Sequence, residues 1–400
     1  MNTTRRGTAR WLIVLAAFAM VVAACSSSDD SGSTETTVAT AATETTVASG
    51  DTGTGTDDVS TQDLRPVKLQ LQWFTQAQFA GYFAALDQGY YALAGLDVEI
   101  LEGGVDIVPA TVLASGAADF AVSWVPRGLV PREEGLDITN IAQVFQRSAT
   151  LQVSFTDTGI NSVDDLAGKT VGNWGFGNEF ELLAGLRSSG LDPETDVTLV
   201  QQQFDMLALI SGDIDAAQAM TYNEYAQVLE TVNPDTGELF QPADLAVIDW
   251  NDVGTAMLQD AIWADAGKLD SDEEYKSTAV AFVEASLRGW AFCRDEFDAC
   301  VDIVLAAGPT LGESHQAWQL NEINNLIWPS PQGIGTMDSE LWDQTVEVAV
   351  SEGILAEEPT AGAYTSDIVI LAQANLAVRG IDFQGMDWTP KTIELLEGGE

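Results

Sequence analysis

From Arg65 onward, apolar and polar positions alternate in short runs and then recur at spacings of three and four. That pattern predicts strands interleaved with amphipathic helices. Val67-Lys-Leu-Gln-Leu-Gln-Trp73 alternates as a strand, and Phe79, Tyr82, Phe83 and Leu86 share one face of a helix over 77–89. A second strand follows over 96–101, a helix over 108–115 that Gly116 stops, and a third strand over 119–124. The alternation predicts an α/β fold. From Ser277 the pattern turns helical, with apolar stripes over 277–293, 298–307, 313–326, 338–352 and 365–378. These segments predict a helical layer packed back on the first part of the fold, without a site of its own.

The chain also repeats itself. Lys68, Trp73 and Phe79 match Lys169, Trp174 and Phe180 at an offset of 101. Leu113-Ala-Ser-Gly-Ala-Ala-Asp119 matches Leu209-Ile-Ser-Gly-Asp-Ile-Asp215 at an offset of 96. Two matches in the same order predict two related α/β lobes. The expected division is lobe 1 over 66–158, lobe 2 over 159–252, and 253–400 completing lobe 1. Hinges are expected near 155–160 and 250–254, where strands cross between lobes. Ligands of open α/β sheets sit outside the carboxyl ends of the strands. Two facing lobes then form a cleft touched by Trp73 and Trp124 from one side, and by Trp174 and Tyr222 from the other.

Composition narrows the function. The chain carries 16 Lys and Arg against 61 Asp and Glu, a formal charge of −45, which repels phosphate backbones and excludes nucleic acid as a partner. One His and three Cys leave little for a metal site or a His-based catalytic network. No catalytic constellation, metal or cofactor is therefore expected. Arg5, Arg6 and Arg10 precede an apolar run from Trp11 to Ala24, a basic and then apolar leader typical of export. Val22-Ala23-Ala24-Cys25 resembles a bacterial lipobox, so residues 1–24 are expected to be a lipoprotein signal peptide and Cys25 its lipidated residue. The alternative is an ordinary signal peptide with an incidental Cys. Residues 25–65 read as a Ser/Thr/Gly and acidic tether in which Glu-Thr-Thr-Val-Ala occurs twice. The expected location is extracytoplasmic, on the outer face of the bacterial cell membrane. Oxidising surroundings favour a disulfide between Cys293 and Cys300 if a turn at 294–298 separates two helices. On one straight helix they lie roughly 10 Å apart and remain two buried thiols.

Residues 67–89, with Tyr90-Tyr91 and Gly95-Leu-Asp-Val-Glu-Ile100, resemble the solute-binding proteins of the thiamine-pyrimidine type. These belong to the nitrate/sulfonate/pyrimidine branch of ABC importers. Gly116-Ala-Ala-Asp119-Phe, Asp165-Leu-Ala-Gly-Lys-Thr-Val171 and Gly212-Asp-Ile-Asp215-Ala fit the same branch. The resemblance runs over about residues 66–330. It implies a two-lobed type II periplasmic-binding-protein fold that closes on a small molecule and delivers it to ABC permease subunits. Ligands of this group are pyrimidine precursors of thiamine. A related subgroup binds riboflavin, and its pattern is similar to Gln76–Tyr82. Fungal pyrimidine synthases share the fold but need a His and a Cys-rich motif. Here no Cys lies between 26 and 292, and the one His is His315, in a segment read as a surface helix.

A flat heteroaromatic ligand needs aromatic faces and in-plane hydrogen bonds. Trp73, Trp124, Trp174 and Tyr222 are candidates for the faces, against core filling. Gln76 and Gln78 offer amide donors and acceptors, against a solvated loop. Asn178 and Glu179 stand where a helix opens after Gly175 and Gly177, with backbone N–H groups free to hold a carbonyl or anion. The resemblance implies that Tyr222, Asn223 and Glu224 grip an aminopyrimidine through a charge-assisted bond. The alternative for Glu224 is a carboxylate favoured by a helix start. An alkanesulfonate, taurine or nitrate ligand needs Arg, and only Arg127, Arg132 and Arg147 lie near the cleft. An enzyme is not expected, since no Gly-x-Ser-x-Gly or His-Glu-x-x-His occurs.

Overall fold

The computed structural model describes residues 64–175 and 177–399. The leader, Cys25 and the tether as far as residue 63 lie outside the described residues. Among the described residues the strands are β1 (Arg65–Gln70), β2 (Leu96–Leu101), β3 (Phe120–Trp124), β4 (Ile138–Gln143), β5 (Thr150–Phe155), β6 (Thr170–Asn173), β7 (Thr198–Gln201), β8 (Ala217–Met220), β9 (Leu245–Asp249) and β10 (Asp260–Asp265). They form one sheet in the order β2-β1-β3-β10-β4 and another of β8-β5-β9. The pair β6-β7 joins the second through a parallel bridge between Val171 and Ala216. The two arrangements are then the same: three parallel strands, an antiparallel strand, and a last strand antiparallel to that one.

Side chains alternate across each strand, so both sheets carry apolar residues on two faces. Phe120 and Val122 of β3 enter one cluster with Phe79, Phe282 and Trp290, while Ala121 enters another with Leu129, Trp263 and Trp342. In the second sheet Leu151 and Val153 pack with Leu209 and Val228, and Ile248 packs with Leu182 and Trp250 on the opposite face. The helix Glu273–Asp295 starts at Asp272, whose side chain accepts from Glu274 N and Tyr275 N, satisfying donors that a helix start leaves open. Gly289 lets it press against the helix Ala80–Asp87: a Cβ there would collide with the Gly81 carbonyl. The helix ends at Asp295 and the next begins at Phe297, with Glu296 alone between them. That break brings Cα of Cys293 and Cys300 to 5.0 Å and closes a disulfide between them.

The crossings between sheets depart from the expected positions in one respect. Strand β5, placed with the first lobe on sequence, pairs with β8 and β9. The forward crossing is therefore 144–149, ahead of the expected 155–160, because β5 is laid antiparallel between β8 and β9. The return crossing occupies 250–259, and its first part contains the expected 250–254 segment. The two crossings are tied side by side: Ser148 N donates to Asn251 Oδ1 at 3.2 Å, and Asn251 Nδ2 to Ser148 O at 2.9 Å. Glu181 is buried against both, accepting from Met257 N at 2.5 Å and Ser148 Oγ at 3.1 Å. Burial pushes its carboxyl up to about 8, despite those bonds.

Candidate functional site

A cavity of about 430 Å³ lies at the carboxyl ends of six strands. Its volume falls in the range of small-molecule sites, roughly 300–1,000 Å³. The first sheet supplies Gln72, Trp73, Gln76 and Gln78 after β1, Val105, Asp106 and Val108 after β2, and Trp124 and Arg127 at the end of β3 and beyond. The second supplies Trp174 and Asn178 after β6, Phe204 after β7, and Met220, Tyr222, Asn223 and Glu224 at the end of β8 and beyond. Each chain turn leaves its strand at the same end, so the parallel pairing of both sheets is what gathers these loops.

All but one of the sequence-derived candidates line this cavity: Trp73, Gln76, Gln78, Trp124, Trp174, Asn178, Tyr222, Asn223 and Glu224. Glu179 does not. Its Oε2 accepts from Gly177 N at 3.0 Å, so it closes its own turn instead of facing the cavity. Trp73 and Trp124 are half-buried, whereas Trp174 is 3% exposed and its Nε1 has no hydrogen-bond partner among the described residues. The Phe204 ring packs against both the Trp73 and the Trp174 indole, 5.0 Å from Trp73 and stacked at 21° and 6.0 Å on Trp174.

The polar floor is centred on Asp260, a residue the sequence pattern did not single out. Gln72 Nε2 donates to its Oδ1 at 2.6 Å and Gln78 Nε2 to its Oδ2 at 3.1 Å. Burial raises the Asp260 carboxyl to about 7, against the pull of these amides and of the Arg127 guanidinium. Gln76 Nε2 donates to Gln78 Oε1 at 2.7 Å, which fixes the amide row. On the second wall Glu224 is buried, accepting from Met220 N and from Asn223 Nδ2, each at 2.9 Å. Burial, and then the charges of Asp260 and Glu224, raise the Tyr222 phenol well above its ordinary value, so it enters the cavity neutral and able to donate.

His315 is not on a surface helix. It is 1% exposed, with Nδ1 at 3.0 Å from Glu230 Oε2 and Nε2 at 2.9 Å from Asn223 Oδ1. The helix Glu313–Ile327 thus backs the cavity wall, and Gln319 Nε2 reaches Gln76 Oε1 at 3.2 Å. Amphipathic spacing places His315 on a face but leaves open what covers that face. Phe204 was missed too, although the hundred-residue repeat carries a signal for it: it follows β7 as Val105 follows β2. Among the described residues no group of His, Cys, Asp and Glu is arranged to hold a metal ion. None of their helices is long and apolar enough to cross a membrane.

Comparison with known proteins places this geometry. A family profile described as NMT1/THI5 like matches residues 76–298. A formylaminopyrimidine-binding protein of Halalkalibacterium halodurans is 26% identical over 75% of this chain and 88% of its own length. The riboflavin-binding protein RibY of Chloroflexus aurantiacus is 29% identical over 76% of this chain and 86% of its own. Among solved structures, the periplasmic sulfonate-binding protein SsuA of Methylobacillus flagellatus superposes with a TM-score of 0.57 at 18% identity, covering 83% of this chain and 99% of its own. The architecture is that of the periplasmic binding proteins.

Proposed function

The chain belongs to the family described as NMT1/THI5 like, and we propose that it is the solute-binding protein of an ABC importer, capturing a small heteroaromatic ligand in the cavity between its two sheets. One observation carries this reading. Loops from three parallel strands of each sheet converge on a single cavity lined by five large aromatic side chains and a row of ordered amides. Aromatic faces and amide edges are what a flat, nitrogen-rich ring requires. Two relatives that cover most of the chain are binding proteins named for a pyrimidine and for riboflavin. Their names support binding and release over turnover.

In this reading residues 64–143 with 260–399 form one lobe and 150–249 the other. They close about the paired crossings at Ser148 and Asn251. Trp73, Trp124, Trp174 and Tyr222 contact the ring faces, while Gln76, Gln78, Asn178, Asn223 and Glu224 contact its edge. The exported chain is held at the outer face of the membrane through lipidated Cys25. Labelling cells with a radioactive fatty acid tests the anchor: incorporation is expected, and is lost in Cys25→Ala. The binding reading is tested by tryptophan fluorescence during titration with formylaminopyrimidine, riboflavin and taurine. Saturable quenching by one of the two ring compounds is expected. Response to taurine alone overturns the heteroaromatic reading.

A further inference from the structure

Arg127 is the only Lys or Arg among the cavity-lining residues. It follows β3 within the helix Val125–Glu133, whose first residues are buried against the first sheet. Its guanidinium carries five donors in a rigid fork. Yet among the described residues it makes no hydrogen bond, ion pair or ring contact, while every amide beside it is engaged. Gln72 uses both ends of its amide, on Asp260 and on Trp124 N, and Gln78 Nε2 also goes to Asp260. The carboxylate best placed to neutralise Arg127 is therefore already occupied by neutral donors. Burial lowers the Arg127 pKa and the Asp260 charge opposes that effect, which shows the guanidinium partly desolvated with an acid nearby. A half-buried cation with unspent donors in a cavity wall is a poor structural device, because leaving a charged donor unmet is costly. It is a good receptor for an oxygen acceptor.

We propose that Arg127 is the specificity-determining residue of this cavity, taking a carbonyl or anionic oxygen on the ligand while Glu224, on the opposite sheet's wall, takes a ring-bound amino or imino N–H. This rests on the heteroaromatic reading and narrows it. The ligand class is a flat heteroaromatic ring that carries an acceptor oxygen, as in a formamide, an imide or a carboxylate, together with a nitrogen donor. A ring of the same shape without that oxygen leaves the fork unmet and binds more weakly.

The test compares wild type with Arg127→Gln and Arg127→Lys on four probes: riboflavin, a formylated aminopyrimidine, the parent amine without its formyl group, and taurine. The expected result is that Arg127→Gln weakens whichever oxygen-bearing ring compound the wild type binds by about tenfold to a hundredfold. The parent amine changes less than about twofold, and Arg127→Lys gives a smaller loss for the oxygen-bearing ring. Equal weakening of formylated and parent compounds, or no weakening of either, overturns the assignment. Taurine binding that disappears in Arg127→Gln, with no ring compound bound by wild type, upholds Arg127 as an oxygen receptor and overturns the heteroaromatic reading instead. Thermal melting of each variant separates folding loss from affinity loss. Should Arg127→Gln not fold, Arg127→Lys carries the comparison, since it keeps the charge and loses the fork.

Discussion

The two halves of the molecule are built on one plan and finished differently. In each, a Ser-Gly pair ends a short helix, the Gly adopts a positive φ (75° at Gly116, 76° at Gly212), and an Asp follows three residues later. That Asp returns a carboxylate to the first strand of its own sheet: Asp119 accepts from Lys68 N at 2.8 Å, and Asp215 from Thr170 N at 2.7 Å. The finishing diverges because the helices after residue 266 pack chiefly on the first sheet. There Trp290, Trp328 and the Cys293–Cys300 disulfide build a thick layer, while β7 at the edge of the second sheet stays largely exposed. Equivalent residues consequently do different work. Trp73 and Trp174 end equivalent strands, but Trp174 is buried and Trp73 is half-buried at the mouth of the cavity. A repeat sets where a side chain stands; the covering layers set what it contributes.

The sharpest way to break this comparison is to truncate the paired tryptophans one at a time. Trp174→Ala is expected to lower stability by about 3–5 kcal/mol, as for other buried aromatics. Trp73→Ala should cost much less and mainly weaken ligand binding. Urea unfolding midpoints with a fluorescence titration of each variant check both, and equal stability losses would contradict the asymmetry. Next in size is the disulfide, which has no counterpart in the second half. Changing Cys293 and Cys300 together to Ser should cost about 2 kcal/mol for so short a loop. Amide exchange should accelerate in the helices Glu273–Asp295 and Phe297–Ala307 and remain unchanged in β5, β8 and β9.

The buried acids offer a matched pair for pH. Asp260 titrates near 7 in the folded protein against 3.8 ordinarily, and Glu181 near 8 against 4.5. In both, the native state keeps a proton that the unfolded chain releases. Their contribution is therefore fully present below about pH 4 and is lost as pH rises through the folded value, at no more than about 1.4 kcal/mol per pH unit for each group. Asp260→Asn should remove that slope between about pH 4 and 7, and Glu181→Gln between about 4.5 and 8. Unfolding midpoints across this range reveal it, and parallel curves for wild type and variants would refute the burial argument. The smallest expected effect belongs to the shared Asp turns. Asp119→Ala and Asp215→Ala should each cost about 1 kcal/mol and agree with each other; a large disparity would mean that the repeat is superficial.

Alternation and helical spacing are local properties, and they were enough to locate β1, β2 and β3, the five C-terminal helices and the repeat. Because parallel strands send their following loops to the same end, they were also enough to place Trp73, Gln76, Gln78, Trp124, Trp174, Asn178 and the Tyr222–Glu224 segment together. Glu179 lies outside the cavity for a local reason, a backbone N–H two residues away that its carboxylate accepts from. Asp260 meets Gln78 across 182 positions of chain, and His315 meets Asn223 across 92; no periodicity spans such distances. The sequence alone thus determined which residues face one way on one element, since φ/ψ geometry repeats every two or 3.6 residues. Only the tertiary structure decided that β5 crosses to the second sheet, that Phe204 packs against two indoles, and that a lone guanidinium is left facing the cavity. Those outcomes depend on which elements pack together, a property of the whole chain's burial and pairing.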